Sequence, residues 1–316
     1  MVHSVLVFFA GLAFLAIASR FVISSSIKIS EYFRISELAV GYLLIALATS
    51  VPDIMVSATA SHSGVSGIAI GDILGSSIAN ICLVLGVAAI IKTLRVKREQ
   101  TLESAELLLL VTIIPLVLLT RHMIGFAEGL ILVIVFGFYA LFAVKEKFTL
   151  GIKEGVLHRE WMQQVTIFFI SIAVTLIAAQ FIVHSGADIA RGLGVEEAVI
   201  GMTIIAFGTT LPELAVDFTA IRKGHFALAI GDIFGSCVVN LTLALGLAAM
   251  INPLSEEGMF IQTGIAFFVG IVVFLWYILM KHEGIRREHG LIFLLAYILF
   301  VMMGIIWGFT SAVSLP

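Results

Sequence analysis

The chain has 316 residues, of which 60% are hydrophobic and only 12% charged, with a net charge of −3 and a mean hydropathy of +1.15. These proportions exclude a soluble globular domain and define an integral membrane protein, placed in the cell membrane as a multi-pass chain. The small net charge points to no macromolecular partner; lipid and small ions are the expected partners, and nucleic acid is not.

Apolar runs of helical length follow one another along the chain. They lie at about 4–23, 37–60, 67–91, 104–120, 124–144, 161–184, 196–220, 226–251, 260–280 and 289–310. Each can cross a hydrocarbon core of about 30 Å, so ten transmembrane helices are expected. The opening "MVHSVLVFFAGLAFLAIASR" has no basic stretch ahead of its apolar run and carries Arg20 behind it. That order is the reverse of a cleavable signal peptide, and it suits a first helix that starts outside. Counting Lys and Arg in alternate loops tests the idea. With both termini outside, the inner loops hold Arg20, Lys28, Arg34, Lys92, Arg95, Lys97, Arg98, Lys145, Lys147, Lys153, Arg159, Arg222, Lys223, Lys281, Arg286 and Arg287, which is 16 of the 18 basic residues. Only Arg121 and Arg191 remain outside. Cys82 and Cys237 both fall inside spans and indicate packing, not a disulfide or metal cluster.

A shift of 160 residues aligns the segment from Gly41 with the segment from Gly201, with about 20 of 46 positions identical and no gap. The chain therefore reads as two five-helix repeats, 1–144 and 161–316, with motif regions 41–86 and 201–246 and a cytoplasmic linker at 145–160. Five is odd, so the second repeat enters the membrane from the opposite side. Inverted repeats of this kind typify secondary transporters, whose substrate site lies where the repeats meet.

The identities concentrate on polar and helix-breaking residues. In "ATSVPD" (48–53), Pro52 has no N–H for the carbonyl of Ala48, and "GTTLPE" (208–213) repeats this with Pro212 and Gly208. Irregular backbone at membrane depth survives only against protein or a water-filled cavity, so the carbonyls of Ala48 and Gly208 are candidate cation ligands. Thr49 and Thr209 add hydroxyls, and Asp53 and Glu213 add carboxylates. The next helix of each repeat places Asp72, Ser76 and Asn80, or Asp232, Ser236 and Asn240, four residues apart along one face. Gly71 with Gly75, and Gly231 with Gly235, form small-xxx-small patterns that permit close backbone approach. Asp72 and Asp232 lie toward the helix ends and are read mainly as lining an entrance. Asp217, whose counterpart is Ser57, is read as an extra acidic station on the cytoplasmic side.

All of these ligands are oxygens, without imidazole or thiolate. Hard cations such as Ca²⁺ prefer that set, while Zn²⁺ or Cu⁺ would select His or Cys. Asp53 and Glu213 together neutralise one divalent ion. Without it their repulsion needs monovalent cations or protons, and an empty site is the state least able to change sides. Antiport follows. No cofactor and no catalysis are expected.

The doubled motifs resemble the calcium/cation antiporter superfamily, and most of all its sodium/calcium exchangers. The family pattern G-T-S-[LV]-P-[ED] followed by G-N-x-x-G-S-x-x-x-[ND] is matched by "ATSVPD" with "GDILGSSIAN", and by "GTTLPE" with "GDIFGSCVVN". The resemblance implies that Asp53, Glu213, Thr49, Thr209, Ser76 and Ser236 ligate ions, that Asn80 and Asn240 complete the sites, and that helices one and six slide as a gating pair. It further implies a chain without cytoplasmic calcium-sensing domains, here expected to act as a monomer. Three departures stand out: Asp53 where prokaryotic relatives usually carry Glu, G-D in place of G-N in both halves, and Asn at both final positions. Asn240 argues against K⁺ co-transport. Ca²⁺/Na⁺ exchange is the leading reading, Ca²⁺/H⁺ (or other divalent) exchange the alternative, and a cation channel or intramembrane protease fits the motifs less well.

Overall fold

A computed structural model describes residues 2–33, 36–64, 66–94, 106, 108–110, 112–115, 117–118, 123–147, 158–192, 206–255, 259–282 and 284–313. The described residues are helical apart from turns and two isolated β-bridges. In chain order the helices are α1 (Val2–Phe33), α2 (Glu37–Thr49), α3 (Val51–His62), α4 (Ser66–Ala79 continued by Asn80–Val84 and Leu85–Ile91) and α5 (Phe126–Lys147). Then come α6 (His158–Gly192), α7 (Ala206–Thr209), α8 (Leu211–Lys223), α9 (Phe226–Val238 continued by Val239–Ala244 and Leu245–Ile251), α10 (Met259–Lys281) and α11 (Arg287–Val313).

Among the described residues six helices are long and apolar enough to cross a bilayer, and α2 with α3 passes the same test as a pair bent by 44°. Of the expected fourth span, 104–120, residues 106, 108–110, 112–115 and 117–118 are described and helical, and the first half of the seventh, 196–220, falls mostly outside the described residues. The expected first and sixth spans prove too short. α1 has 32 residues and α6 has 35, which at 1.5 Å each is about 48 and 52 Å of helix, well beyond the hydrocarbon core. Arg20 and Lys28 are therefore turns of α1, not loop residues, and Arg159 belongs to α6. The helix continues through "ISSSIKIS" because its serines bond back to the preceding turn. Ser25 Oγ donates to the Phe21 carbonyl at 2.7 Å and Ser26 Oγ to that of Val22 at 2.8 Å, which satisfies hydroxyls that would otherwise compete for the backbone.

α4 and α9 form the centre, with 78% and 83% of their apolar windows buried, against 22% for α11. α1 and α6 lie side by side on one flank as the most extensive helix pair. Their outer faces expose Phe9, Phe14, Phe169 and Phe181, as expected where lipid is the solvent.

Glycine sets the closest contacts. A Cβ on Gly41 of α2 would sit 2.9 Å from the Asp232 nitrogen and 3.0 Å from the Gly231 Cα of α9. One on Gly235 would meet the Tyr42 carbonyl at 2.5 Å. The second small-xxx-small pattern thus does bring backbones together. For Gly71 and Gly75 of the first, no described atom lies within 4 Å of the added carbon.

Many contacts recur after a shift of about 160 residues. Gly86 packs on Gly290, and Gly246 packs on Gly129. The bridge Leu94↔Ile285 has its counterpart in Leu254↔Ile124. Ser77 and Cys237, equivalent positions, meet each other, with the Cys237 thiol 3.6 Å from the Ser77 carbonyl. Both cysteines are buried and free.

Candidate cation site

The site is built at two interruptions. α2 ends at Thr49, Ser50 forms a turn at φ −79°, ψ 3°, and α3 begins at Val51 with Pro52 in its first turn. The second copy repeats the geometry: α7 ends at Thr209, Thr210 turns at φ −88°, ψ −3°, and Pro212 opens α8. The break therefore falls one or two residues ahead of each proline. Proline suits the first turn of a helix, where an N–H has no intrahelical partner. The backbone ladder resumes with Ile54 N–H donating to Ser50 and Leu214 N–H to Thr210, both at 3.0 Å. Pro52 and Pro212 have no N–H to give the carbonyls of Ala48 and Gly208. Asp53 and Glu213 occupy the first turns of α3 and α8, where the helix dipole favours negative charge.

Side chains from both halves of the chain converge here. Asp53 is fully buried. Its Oδ1 accepts Ser76 Oγ at 2.8 Å, and its Oδ2 accepts Asn240 Nδ2 at 3.3 Å. Asp232 Oδ1 accepts Ser236 Oγ at 3.3 Å and lies 3.4 Å from Thr49 Oγ1. The Thr49 hydroxyl also lies 3.0 Å from the Ile45 carbonyl. In the reciprocal place, Thr209 is a hydrogen-bonding neighbour of Asp72 and of Asp53. The charges nearest Glu213 include Asp53, Asp232 and Asp72.

Among the described residues, several of these oxygens have no donor: both carboxylate oxygens of Glu213 apart from its own backbone N–H, Oδ2 of Asp72, Oδ1 of Asn80 and Asn240, and the Ser50 hydroxyl. The Asp217 carboxylate and Oδ2 of Asp232 likewise have no donor apart from each other. Glu213 is 1% exposed, and Asp217, Asp232, Asn80 and Asn240 are 0% exposed. Buried polar atoms ordinarily find partners, and an uncompensated buried carboxylate costs several kcal/mol. Carboxylate, amide and hydroxyl oxygens together suit a hard cation. Among the described residues no three His, Cys, Asp or Glu side chains form a compact metal cluster, so the donors are dispersed and mixed.

One expectation needs correction. Asp232 does not line an entrance: it is enclosed between Thr49 and Ser236 at the centre of the bundle. Asp217, one turn beyond Glu213 on α8, is fully buried with Asp232 and Glu213 as its electrostatic neighbours. The spacing already contained this. Glu213 and Asp217 are four residues apart, as are Asp232, Ser236 and Asn240, so each set shares a helix face with an expected ligand. Asp72 is half-buried. Sequence reading also missed the π-helical turns at Val40–Ile45, Asn80–Val84 and Val239–Ala244. They widen the helices just where Asn80 and Asn240 point inward, and such turns are frequent at functional sites.

Apolar helices interrupted around buried oxygen donors define a multi-pass membrane protein that handles cations, and its relatives are transporters rather than enzymes. The model of the sodium/calcium exchanger protein family matches residues 3–145 and 164–306. The chain belongs to that family. It is 33% identical to the putative antiporter CaxA of Alkalimonas amylolytica, over 89% of this chain and 92% of the relative. It is 27% identical to the sodium/calcium exchanger MaX1 of Methanosarcina acetivorans, over 94% and 97%. Among solved structures, the sodium-calcium exchanger NCX_Mj soaked with 10 mM Na⁺ and zero Ca²⁺ superposes with a TM-score of 0.86 at 29% identity, covering 95% of this chain and 98% of that one.

Proposed function

We propose that the protein is an antiporter exchanging Ca²⁺ for Na⁺ by alternating access. The ions would bind among Asp53, Glu213, Thr49, Thr209, Ser76, Ser236, Asn80, Asn240 and the carbonyls of Ala48 and Gly208, with Asp72, Asp217 and Asp232 as further acidic groups. The observation that carries this reading is the Glu213 carboxylate, 1% exposed and without a side-chain donor on either oxygen among the described residues, with Asp53 as its foremost charged neighbour. One Ca²⁺ neutralises that pair, and Na⁺ ions do the same in turn. The names of MaX1 and NCX_Mj support sodium as the exchanged ion.

The architecture we infer is ten spans in two inverted repeats, 1–144 and 161–316, joined by a cytoplasmic linker at 145–160, with both termini outside and the monomer as the working unit. Support comes from the two separate family matches, the reciprocal contacts of Gly86·Gly290 with Gly246·Gly129, and the one-sided distribution of basic residues.

Proton coupling is the second reading. It draws on Asp72, Asp217 and Asp232, three carboxylates beyond the pair that one Ca²⁺ requires. Reconstituted vesicles separate the two: an outward Na⁺ gradient should drive Ca²⁺ uptake, while a pH gradient alone should not. Uptake driven by pH but not by Na⁺ would establish the second reading. Asp53→Asn and Glu213→Gln should each abolish exchange, and full activity in both would remove the site assignment.

A further inference from the structure

A cleft of about 620 Å³ opens between α1 and α8, away from the buried oxygens. Leu15, Leu211 and Leu214 line its floor, and Arg20, Arg222 and Lys223 stand at its rim. α8 divides its residues cleanly. Leu211, Leu214, Phe218 and Arg222, spaced by three and four, face the cleft, while Glu213, Val216, Asp217 and Ala220 lie on the buried face. One helix thus serves the ion cluster on one side and the cleft on the other.

The rim is basic. Among the described residues, no carboxylate lies within 4.0 Å of Arg20, Arg222 or Lys223. Two of the three are nonetheless held in place. Lys223 Nζ donates to the Arg20 carbonyl at 3.3 Å, leaving two N–H groups for another acceptor. The Arg222 guanidinium lies over the Phe218 ring, 5.6 Å from its centroid. The Ser19 and Thr219 hydroxyls, 2.9 Å apart, join the two helices beside it. Arg20 stands 18 residues along α1 from Val2, about 27 Å along the axis. In the orientation proposed above, that depth is the inner headgroup layer.

Basic groups over an apolar floor at headgroup depth match one chemistry. A soluble anion would leave the leucines wet, and an uncharged lipid would leave three cations unmatched. We propose that this cleft binds an anionic phospholipid of the inner leaflet. Its phosphate would sit among Arg20, Arg222 and Lys223 and its acyl chains along Leu15, Leu211 and Leu214. Such a lipid bridges α1 to the helix that carries Glu213, so its occupancy ties membrane charge to the relative position of those two helices. The proposal rests on the membrane orientation given above, not on which ion is exchanged.

The test is lipid retention by the purified full chain, read by native mass spectrometry and thermal unfolding and independent of transport. Phosphatidylglycerol and phosphatidylcholine of identical acyl chains are compared, with glycerol 1-phosphate as a headgroup alone. Phosphatidylglycerol should be retained and should raise the unfolding midpoint, while the other two should do neither. Arg20→Gln/Arg222→Gln/Lys223→Gln should weaken retention at least tenfold, whereas Lys281→Gln/Arg286→Gln/Arg287→Gln should leave it unchanged. Ala215→Trp, which fills the cleft without altering charge, should also lose retention and covers the case in which the triple variant does not fold. Equal retention of the two lipids, equal losses in both charge variants, or full binding of glycerol 1-phosphate would each overturn the proposal.

Discussion

The Asn240 amide donates to Asp53 across 3.3 Å and 187 positions of sequence. A residue on the π-helical turn of α9 thereby holds the carboxylate that begins α3, while its own Oδ1 has no hydrogen-bond partner among the described residues. The same side chain orients one anion and offers one oxygen. Asn240→Ala removes both. We expect Ca²⁺ affinity to fall roughly tenfold, which corresponds to about 1.4 kcal/mol, with the chain still folded. Ca²⁺ dependence of Na⁺-driven uptake measures this, and an unchanged half-saturation would show that Asn240 only packs.

Ser76 and Ser236 are equivalent in sequence but not in bonding. Ser76 Oγ gives Asp53 its 2.8 Å hydrogen bond, whereas Ser236 Oγ serves Asp232 at 3.3 Å, in company with Thr49. Removing Ser76 strips Oδ1 of Asp53 of the donor described for it, at a cost of about 1–3 kcal/mol. Ser76→Ala should therefore weaken Ca²⁺ binding more than Ser236→Ala. Calorimetric titration of the two variants decides the order, and equal losses would mean that the asymmetry has no energetic weight.

Much of this site could be read from the chain alone, and the reasons are local. Pro52 and Pro212 announce interrupted helices by their chemistry, and the four-residue spacing of Asp232, Ser236 and Asn240 announces a shared face. What escaped was depth. From sequence alone Asp232 reads as an entrance residue, because distance along a helix from Asn240 stands in for distance from the centre. In the fold, α2 presses against α9 through Gly41 and Gly231, and that contact encloses the start of α9. Helix ends escaped as well. α1 continues to Phe33 because its serine hydroxyls are satisfied within the helix, a detail that hydropathy does not register. The π-helical turns at Asn80 and Asn240 have no hydropathy signature either, since hydropathy reports polarity and not helix pitch.

The glycine contacts predict the cost of overpacking. A methyl group on Gly231 would meet the Leu38 carbonyl and lie 3.0 Å from the Tyr42 nitrogen, both of them backbone atoms that cannot swing aside. Gly231→Ala should destabilise the chain by about 1–3 kcal/mol through overpacking. The unfolding midpoint of the variant in detergent tests this, and an unchanged midpoint would show that α2 and α9 can part without cost.

Asp72 and Asp232 offer the clearest way to separate sodium from proton coupling, because both occupy positions where the family motif commonly has Asn. The double variant Asp72→Asn/Asp232→Asn keeps an oxygen at each site, so Asp232→Asn can still accept from Ser236 and Thr49. It cannot carry a proton in exchange for a cation. If sodium is the coupling ion, Na⁺-driven Ca²⁺ uptake should persist within about threefold. Acid inhibition should persist too, since Asp53 and Glu213 must still shed protons to hold Ca²⁺. The sign is fixed by competition: uptake falls as pH falls, because a proton and a cation claim the same oxygens. If protons are the coupling ion, the double variant should instead lose pH-driven uptake outright while still binding Ca²⁺ at equilibrium. Flux under each gradient, paired with equilibrium ⁴⁵Ca²⁺ binding, gives opposite results in the two cases.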